Sequence, residues 1–141
     1  MLANRSIPDA AIIPELAYPD VLEAAAWLCR AFGFAERLRI ADHRVQLTFG
    51  GGAMVATQLD GAPSGERRTD HGVMVRVEDV DAHCARATAA GATILRPPTS
   101  HPFGERQYTA VDPGGHAWTF TQSIADVDPA EWGGELVGGG S

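Results

Sequence analysis

The chain has 141 residues, a formal net charge of −7 and a pI of about 5.1. That length suits one domain with a sizeable hydrophobic core, and the acidic balance argues against nucleic acid or anionic membranes as partners. No stretch has the length and apolarity of a membrane span or a signal peptide, so we expect a cytoplasmic protein. Its two cysteines, Cys29 and Cys84, are expected to be free thiols in a reducing compartment.

The first half of the chain has the pattern of one strand, one helix and three further strands. Residues 1–10 are expected to form an N-terminal arm. Asp20 can cap the helix that follows it, and Gly33 can end that helix in the left-handed conformation. The predicted elements are a strand at 12–18, a helix at 21–32 and strands at 34–40, 43–49 and 53–59.

The second half repeats this plan after a polar linker at 60–70 that is rich in glycine and charge. Asp79 is expected to cap the second helix, and Pro97-Pro98 to close a short strand. His116 follows a glycine turn and is expected to be exposed, whereas Trp132 is expected to dock the tail at 123–141 on the body or on a partner subunit. The predicted elements are strands at 71–77, 94–95, 107–111 and 117–122 and a helix at 80–90.

The two halves also share short stretches of sequence. The segment Tyr18-Pro-Asp-Val-Leu-Glu is echoed by Val77-Glu-Asp-Val-Asp-Ala, and Gly52-Ala-Met-Val-Ala-Thr-Gln is echoed by His116-Ala-Trp-Thr-Phe-Thr-Gln. A long period that occurs only twice is not that of a solenoid. It predicts an α+β fold with a single domain at 11–122, built from two tandem βαβββ modules at 11–59 and 71–122 that share one cleft.

Two further stretches carry a resemblance to a known family. The first helix and its exit read Ala-Trp-Leu-Cys-Arg-Ala-Phe-Gly-Phe at 26–34, and the turn before the last strand reads Asp-Pro-Gly-Gly-His-Ala-Trp-Thr-Phe at 112–120. With the duplicated plan, these motifs resemble the vicinal oxygen chelate superfamily, which contains glyoxalase I, bleomycin-resistance proteins and extradiol dioxygenases. The resemblance covers residues 11–122 and implies a cupped mixed sheet, completed by a homodimer.

The same resemblance bears on metal binding. Metalloenzymes of this superfamily hold one divalent ion with His and Glu side chains from the first and last strand of each module. The flanking motifs place the equivalent positions at Ile13, Val55, Gly72 and Thr119. None of these offers an imidazole, thiolate or carboxylate, and the neighbouring His71 is interpreted as a histidine at a strand start. We therefore expect no metal and no cofactor.

Strand alternation predicts which side chains line the shared cleft. Val73 and Val75 are expected to pack under the helix, so their neighbours face the cleft. Equivalent positions in the repeat allow Glu15 and Arg76 to face one another, and a loop ending at Tyr108 adds charged and aromatic groups beside the cleft. The sequence leaves open whether Tyr108 points to a ligand or to the core. The candidate ligand-binding residues are Glu15, Val55, Thr57, Gly72, Met74, Arg76, Glu105, Arg106, Tyr108 and Thr119.

A lining of mostly small and apolar residues is typical of a site for an organic molecule. The sequence predicts a protein that binds and sequesters a small organic ligand, aromatic or cationic, in a metal-free cleft completed by a homodimer. The alternative is a lyase or isomerase of the same superfamily. It would act without metal through Glu15, Tyr108, Glu105 or Arg106, or it would carry an altered metal site.

Overall fold

The computed structural model describes residues 2–60 and 71–137, and its elements confirm the α+β plan of two βαβββ modules. Residues 61–70 of the predicted linker at 60–70, and the last four residues, lie outside the described part. The elements are β1 (Glu15–Tyr18), α1 (Val21–Phe32), β2 (Ala35–Ile40), β3 (Arg44–Phe49), β4 (Gly52–Gln58), β5 (Gly72–Arg76), α2 (Val80–Ala89), β6 (Thr93–Ser100), β7 (Glu105–Val111), β8 (Ala117–Ser123) and a 3-10 helix (Pro129–Trp132).

The eight strands form two separate four-stranded sheets, one for each module. Their orders are β1-β4-β3-β2 and β5-β8-β7-β6. In each sheet the first and last strands of the module pair in parallel, and the other neighbours are antiparallel. Strands β1 and β5 are therefore edge strands. Neither helix in the described ranges has the length and apolarity needed to cross a membrane.

Strand β6 differs from its prediction, because it continues through Pro97-Pro98 to Ser100. It lies at the edge of its sheet, where a proline costs no ladder hydrogen bond if its nitrogen faces outward. The pairing with β7 is irregular between Arg96 and Thr99, and this irregularity takes up the two prolines.

The residues that repeat between the two halves cap the first turn of the helix in both modules. The carboxylates of Asp20 and Asp79 accept hydrogen bonds from the amide of the third residue of their helices, at 3.2 and 3.0 Å. The side chains of Gln58 and Gln122 accept from the amide of the first residue, at 3.1 and 2.9 Å. Each helix therefore begins with two of its otherwise unpaired N–H groups satisfied.

One core joins both modules. It is formed by the two helices and by the face of each sheet that packs against them; we call the opposite face of each sheet the helix-distal face. The alternation of buried and exposed positions follows the prediction, since Val73 and Val75 pack against the core, as expected. The largest fully buried side chains are Trp118, Tyr18, Tyr108, Phe32, Phe120, Leu28 and Leu47.

A buried carboxylate ties the first module to the second. Asp112 is 5% exposed and stands in the turn between β7 and β8. One of its oxygens accepts from the Tyr18 hydroxyl at 2.5 Å and from the Trp118 indole at 2.9 Å. The other accepts from the amides of Gly114 and His116 at 2.9 and 3.0 Å. Four donors thus replace the water that this charge loses on burial.

His116 adds a second link between the modules, and its predicted exposure is wrong. The ring is 2% exposed and stacks edge-on against Tyr18, with ring centroids 5.0 Å apart. Its Nε2 lies 2.8 Å from the carbonyl oxygen of Ala17, and its Nδ1 lies 3.0 Å from Nε2 of His71. The glycine turn points this histidine inward, because the end of β1 lies over it.

The tail contacts the body at the turn between β6 and β7. Gly104 has φ +88°, and a Cβ there would lie 2.4 Å from the carbonyl oxygen of Ala125, so the tail passes directly over this glycine. The Trp132 ring lies 5.2 Å from that of Phe103 between centroids, yet it remains 49% exposed. The tryptophan therefore docks on the body with one face and leaves the other in solvent.

We expect Asp112→Ala to lower the free energy of unfolding by about 3 kcal/mol or more, since it leaves buried donors unsatisfied. The control is Asp128→Ala, which removes the cap of the exposed 3-10 helix and should cost no more than about 1 kcal/mol. Urea denaturation of both variants measures the two effects. Equal losses would mean that the Asp112 carboxylate has no special role.

Candidate ligand groove between the modules

A groove of about 980 Å³ opens between the two modules. It is lined by the residues that precede β1, the exit of α1, the turn between β3 and β4, strand β5 and the first turns of α2. The junction at Asp112 closes one end of the space between β1 and β5. The groove lining includes Ile12 and Pro14, which precede β1, and Val77, Glu78 and Asp79, which follow β5.

Aromatic rings form the floor of the groove. Phe34 lies 5.4 Å from Phe49 and 5.5 Å from Trp118 between ring centroids, and Phe32 lies 5.5 Å from Trp118. These contacts join the end of α1, the end of β3 and strand β8 into one apolar surface. Offset and edge-on contacts of this kind stabilise rings against one another, so the floor is held in place before any ligand arrives.

The charged side chains around the groove are of both signs, and some of them form hydrogen bonds that stabilise the fold. Arg86 donates from Nε to the carbonyl of Arg30 at 3.0 Å and from Nη2 to that of Cys29 at 3.2 Å, so it caps the end of α1. Asp79 caps α2. Arg76 and the exposed Glu78 lie at the end of β5. The groove lining therefore has two basic and two acidic side chains, without an excess of either charge.

His83 lies in the groove wall and joins the core through Tyr108. Its Nε2 is 2.8 Å from the carbonyl oxygen of Phe32, which can only accept, so Nε2 carries the proton. Its Nδ1 then accepts from the Tyr108 hydroxyl at 2.5 Å. The pKa of His83 is lowered overall. Burial lowers it most and the charge of Arg86 lowers it further, whereas the hydrogen bond to the Phe32 carbonyl raises it. Burial also raises the pKa of Tyr108. Both groups are held neutral.

The predicted site residues of the second module are divided between the two faces of its sheet. Gly72, Met74 and Thr119 lie in neighbouring positions of β5 and β8, and Arg76 follows on the same helix-distal face. Glu105 lies at the far end of this face, where its carboxylate accepts a hydrogen bond from the Thr121 hydroxyl at 2.7 Å. Of this group, Met74 and Arg76 also line the groove.

A network of side chains covers that face. The hydroxyls of Thr109 and Thr119 lie 3.0 Å apart, and Gln107 donates to Thr121 at 3.1 Å. Burial raises the pKa of Glu105, but hydrogen bonds from Ser123 and Thr121 and the charge of Arg76 outweigh it, so the net shift is downward. This carboxylate is therefore ionised and already has partners.

Two predicted site residues lie on the opposite face, toward α2. Tyr108 is fully buried in the core, which answers the question that the sequence left open and removes this residue from the predicted cleft. Arg106 is bonded to both oxygens of Asp81 on α2, at 3.0 and 2.9 Å. The reason is strand parity, because Glu105 and Gln107 take the helix-distal positions on either side of Arg106.

The predicted residues of the first module lie on their own helix-distal face. Glu15 and Thr57 are accessible there, but Val55 is only 3% exposed. The N-terminal arm crosses this face, held by a hydrogen bond of 2.8 Å from Gln46 to the carbonyl of Ser6. Glu15 is paired with Arg44 of β3. The expectation that Glu15 faces Arg76 is therefore wrong within one chain.

The four positions that the resemblance assigned to a metal do not fit one here. Val55 is buried, Thr119 is bonded to another threonine, and Ile13 and Gly72 have no donor side chain. Within residues 2–60 and 71–137, no three side chains of His, Cys, Asp or Glu are grouped as metal ligands. A catalytic zinc site, by contrast, takes three protein ligands of these types.

The chain belongs to the Glyoxalase/Bleomycin resistance protein/Dioxygenase superfamily, whose model matches residues 11–120. This is the superfamily that the sequence motifs suggested. A protein of Mycobacterium bovis with no assigned function is 30% identical and covers 87% of this chain and 90% of its own length.

Solved structures agree with this assignment. TioX from Micromonospora sp. ML1 is 38% identical, with a TM-score of 0.68 over 80% of this chain and 98% of TioX. The fosfomycin resistance protein FosX from Listeria monocytogenes is 17% identical, with a TM-score of 0.66 over 83% of this chain and 95% of FosX. The likeness to FosX shows a shared fold alone.

No pattern in the sequence pointed to the groove, although two of its aromatic residues carry a signal. Phe34 directly follows Gly33, which ends α1, and Phe49 directly precedes the glycine turn at 50–52. In the structure Phe34 is 7% exposed and Phe49 is half-buried, and both line the groove.

We expect His83→Gln to flatten the pH dependence of stability. Glutamine can accept from Tyr108 and donate to the Phe32 carbonyl, but it does not titrate. The folded state holds the imidazole neutral, so the unfolded chain binds the proton first as the pH falls below about 6.5. The contribution of His83 is therefore present above that pH and lost below it. Urea denaturation between about pH 7 and pH 5 should show a steeper loss in the parent than in H83Q, and parallel curves would contradict this.

Proposed function

We propose that this protein binds a small, largely apolar organic molecule in the groove between its modules and holds it without changing it. The observation that carries the proposal is the combination of size and lining. A space of about 980 Å³ over a floor of four aromatic rings lies within the range of small-molecule sites, which run to roughly 1,000 Å³ and are mainly apolar. The preformed floor favours a flat or aromatic group.

Binding without chemistry is supported by the state of the groups that could act as acid or base. Tyr108 is buried and donates to His83, Arg106 is paired with Asp81, and Glu105 is already hydrogen-bonded. Glu15 lies on the other sheet, where it pairs with Arg44. General acid–base catalysis needs such a group within hydrogen-bond reach of the substrate. The lyase or isomerase alternative would have to recruit groups other than these.

We also infer that the protein forms a homodimer in the cytoplasm. The edges of β1 and β5 and the exposed side chain of Met74, 63% accessible, favour cover by a second copy. The helix-distal residues Glu15, Thr57, Gly72 and Thr119, which do not line the groove, would then approach the partner. The two cysteines are free, as a reducing compartment allows.

Ala82→Trp tests the groove directly. Ala82 is exposed on α2 and lines the groove, whereas Ala85, one turn along the same helix, is exposed without lining it. We expect Ala82→Trp to weaken binding of proflavine or of 8-anilinonaphthalene-1-sulfonate at least tenfold, by filling the space, and Ala85→Trp to leave it unchanged. Fluorescence titration measures both, and the two dyes carry opposite charges. Equal affinities in the two variants would place the ligand elsewhere.

Sedimentation equilibrium tests the homodimer. We expect a mass of about twice the 14.9 kDa of the chain at micromolar concentration, because edge strands and exposed apolar side chains favour closed two-fold pairing. A mass near that of the single chain at every concentration would count against the dimer but leave the groove untouched.

A further inference from the structure

Two side chains on the helix-distal face of the first sheet are buried without help from the helices. Gln46 of β3 and Val55 of β4 are partners in register on this face, and each is only 3% exposed. Val55 is not part of the core that the helices form. The N-terminal arm, which crosses this face, therefore covers the two side chains.

The equivalent positions of the second module are more open. Thr109 and Thr119 are partners in the same register on β7 and β8, and both are only half-buried. The two sheets have the same strand order, so the deeper burial in the first module comes from the arm. Within the arm, Pro8 is buried, whereas residues 2–7 are exposed.

Two donor side chains hold the arm through its backbone. Nε2 of Gln46 donates to the carbonyl of Ser6 at 2.8 Å, and Nη2 of Arg37 donates to the carbonyl of Arg5 at 2.8 Å. Nη1 of Arg37 also donates to Oε1 of Gln46 at 2.5 Å, which turns the NH2 group of the amide toward the arm. Both donors meet backbone oxygens, so this contact does not depend on the side chains of the arm.

The rest of the arm is bonded to itself. The amide of Ser6 donates to Oδ1 of Asn4 at 3.0 Å, and the amide of Ile7 donates to the carbonyl of Asn4 at 3.4 Å. In the described part of the chain, no amide of residues 2–10 donates to the body. A segment with exposed side chains and few bonds to the body opens at low cost in free energy.

An opened arm would leave a pair of donors suited to a carboxylate. Arg37 and Gln46 then present a cationic and a neutral donor side by side, next to the apolar Val55. The two oxygens of a carboxylate can accept from such a pair, and charge-assisted hydrogen bonds are stronger than those to a neutral carbonyl. In the described part of the chain Arg37 has no carboxylate partner, whereas the nearby Arg44 is paired with Glu15.

This position is separate from both the groove and the proposed dimer contact. The strand order β1-β4-β3-β2 places β2 and β3 away from β1, whose edge we expect a second copy to cover. Arg37 is exposed, in the irregular pairing between Glu36 and Leu38 on the outermost strand. Neither Arg37 nor Gln46 lines the groove.

We propose that Arg37 and Gln46 form a binding site for a small apolar carboxylate, and that the N-terminal arm occupies this site until the carboxylate displaces it. The carboxylate takes the two donors from the carbonyls of Arg5 and Ser6, and its apolar part lies against Val55. The arm is a tethered competitor, and a short tether gives it an effective concentration of millimolar order. The proposal does not depend on what the groove binds.

Titration of isotope-labelled protein with benzoate, followed by NMR, tests the site. We expect the side-chain amide signals of Gln46 to shift saturably, and the backbone amides of Ser6 and Ile7 to reach unfolded positions with the same midpoint. Benzamide, which has the ring without the charge, should bind at least about tenfold more weakly. No response of Gln46 up to about 50 mM benzoate, well above the effective concentration of the arm, would overturn the proposal. So would a response of Gln46 while the arm stays bound.

Arg37→Gln and Arg39→Gln form a matched pair on β2, because Arg39 is also exposed but pairs with Glu36. Arg37→Gln should free the arm and still weaken benzoate binding at least about tenfold, since one guanidinium serves both. Arg39→Gln should change neither. If Arg37 only held the arm, its loss would strengthen benzoate binding, and that result would show the proposal to be wrong. An equal loss in both variants would assign the effect to general charge attraction and would also contradict it.

Pro8→Ser and Ile7→Ser test the competition. Pro8 is buried, whereas Ile7 is 51% exposed. Loosening the arm raises the fraction of open sites, so Pro8→Ser should lower the apparent dissociation constant of benzoate at least about threefold, and Ile7→Ser should leave it unchanged. The same constant in Pro8→Ser and the parent would mean that the arm does not compete.

Ala82→Trp separates this site from the groove. It should leave benzoate binding unchanged, because Ala82 lines the groove and not the face under the arm. If Ala82→Trp abolishes benzoate binding, benzoate occupies the groove, so the carboxylate site is wrong and the groove function stands. If benzoate binds under the arm while the two dyes bind Ala82→Trp and the parent equally, the carboxylate site stands and the groove function is wrong.

Discussion

The buried carboxylate of Asp112 is the contact on which the relative placement of the modules depends. A charge in the interior is tolerated only when hydrogen bonds replace its water, and here two donors come from its own turn, one from β8 and one from Tyr18 at the end of β1. The last donor belongs to the other module. Satisfying this charge therefore fixes the end of β1 against β8, and the groove lies between the two modules that this contact joins.

The duplication has kept some residues and changed others, and the difference follows their physical role. Asp20 and Asp79 keep the same backbone angles and the same capping bond, because an uncapped helix would lose stability in either module. Met54 and Trp118 hold equivalent positions on β4 and β8, yet only the tryptophan can donate to Asp112 while forming part of the groove floor. The junction and the groove thus depend on the asymmetry between the modules.

The groove combines an apolar floor with polar groups that already form hydrogen bonds within the protein. His83 and Tyr108 are held neutral by burial and by their shared hydrogen bond, and Arg86 serves the end of α1. What remains available to a ligand is mainly apolar surface. These features favour the proposed recognition by shape over catalysis by charged groups.

The sequence by itself determined the superfamily, the two modules, the helix caps and the face of the first and last strands of each module that packs in the core. These features follow from residues that are close together in the chain, through capping chemistry and the two-residue period of a strand. Only the tertiary structure decided that Tyr108 is buried, that Glu15 pairs with Arg44 and that a groove lies beside β5. Each of these depends on where distant segments meet. Such contacts are set by the packing of whole elements around one core, which no local pattern of residues encodes.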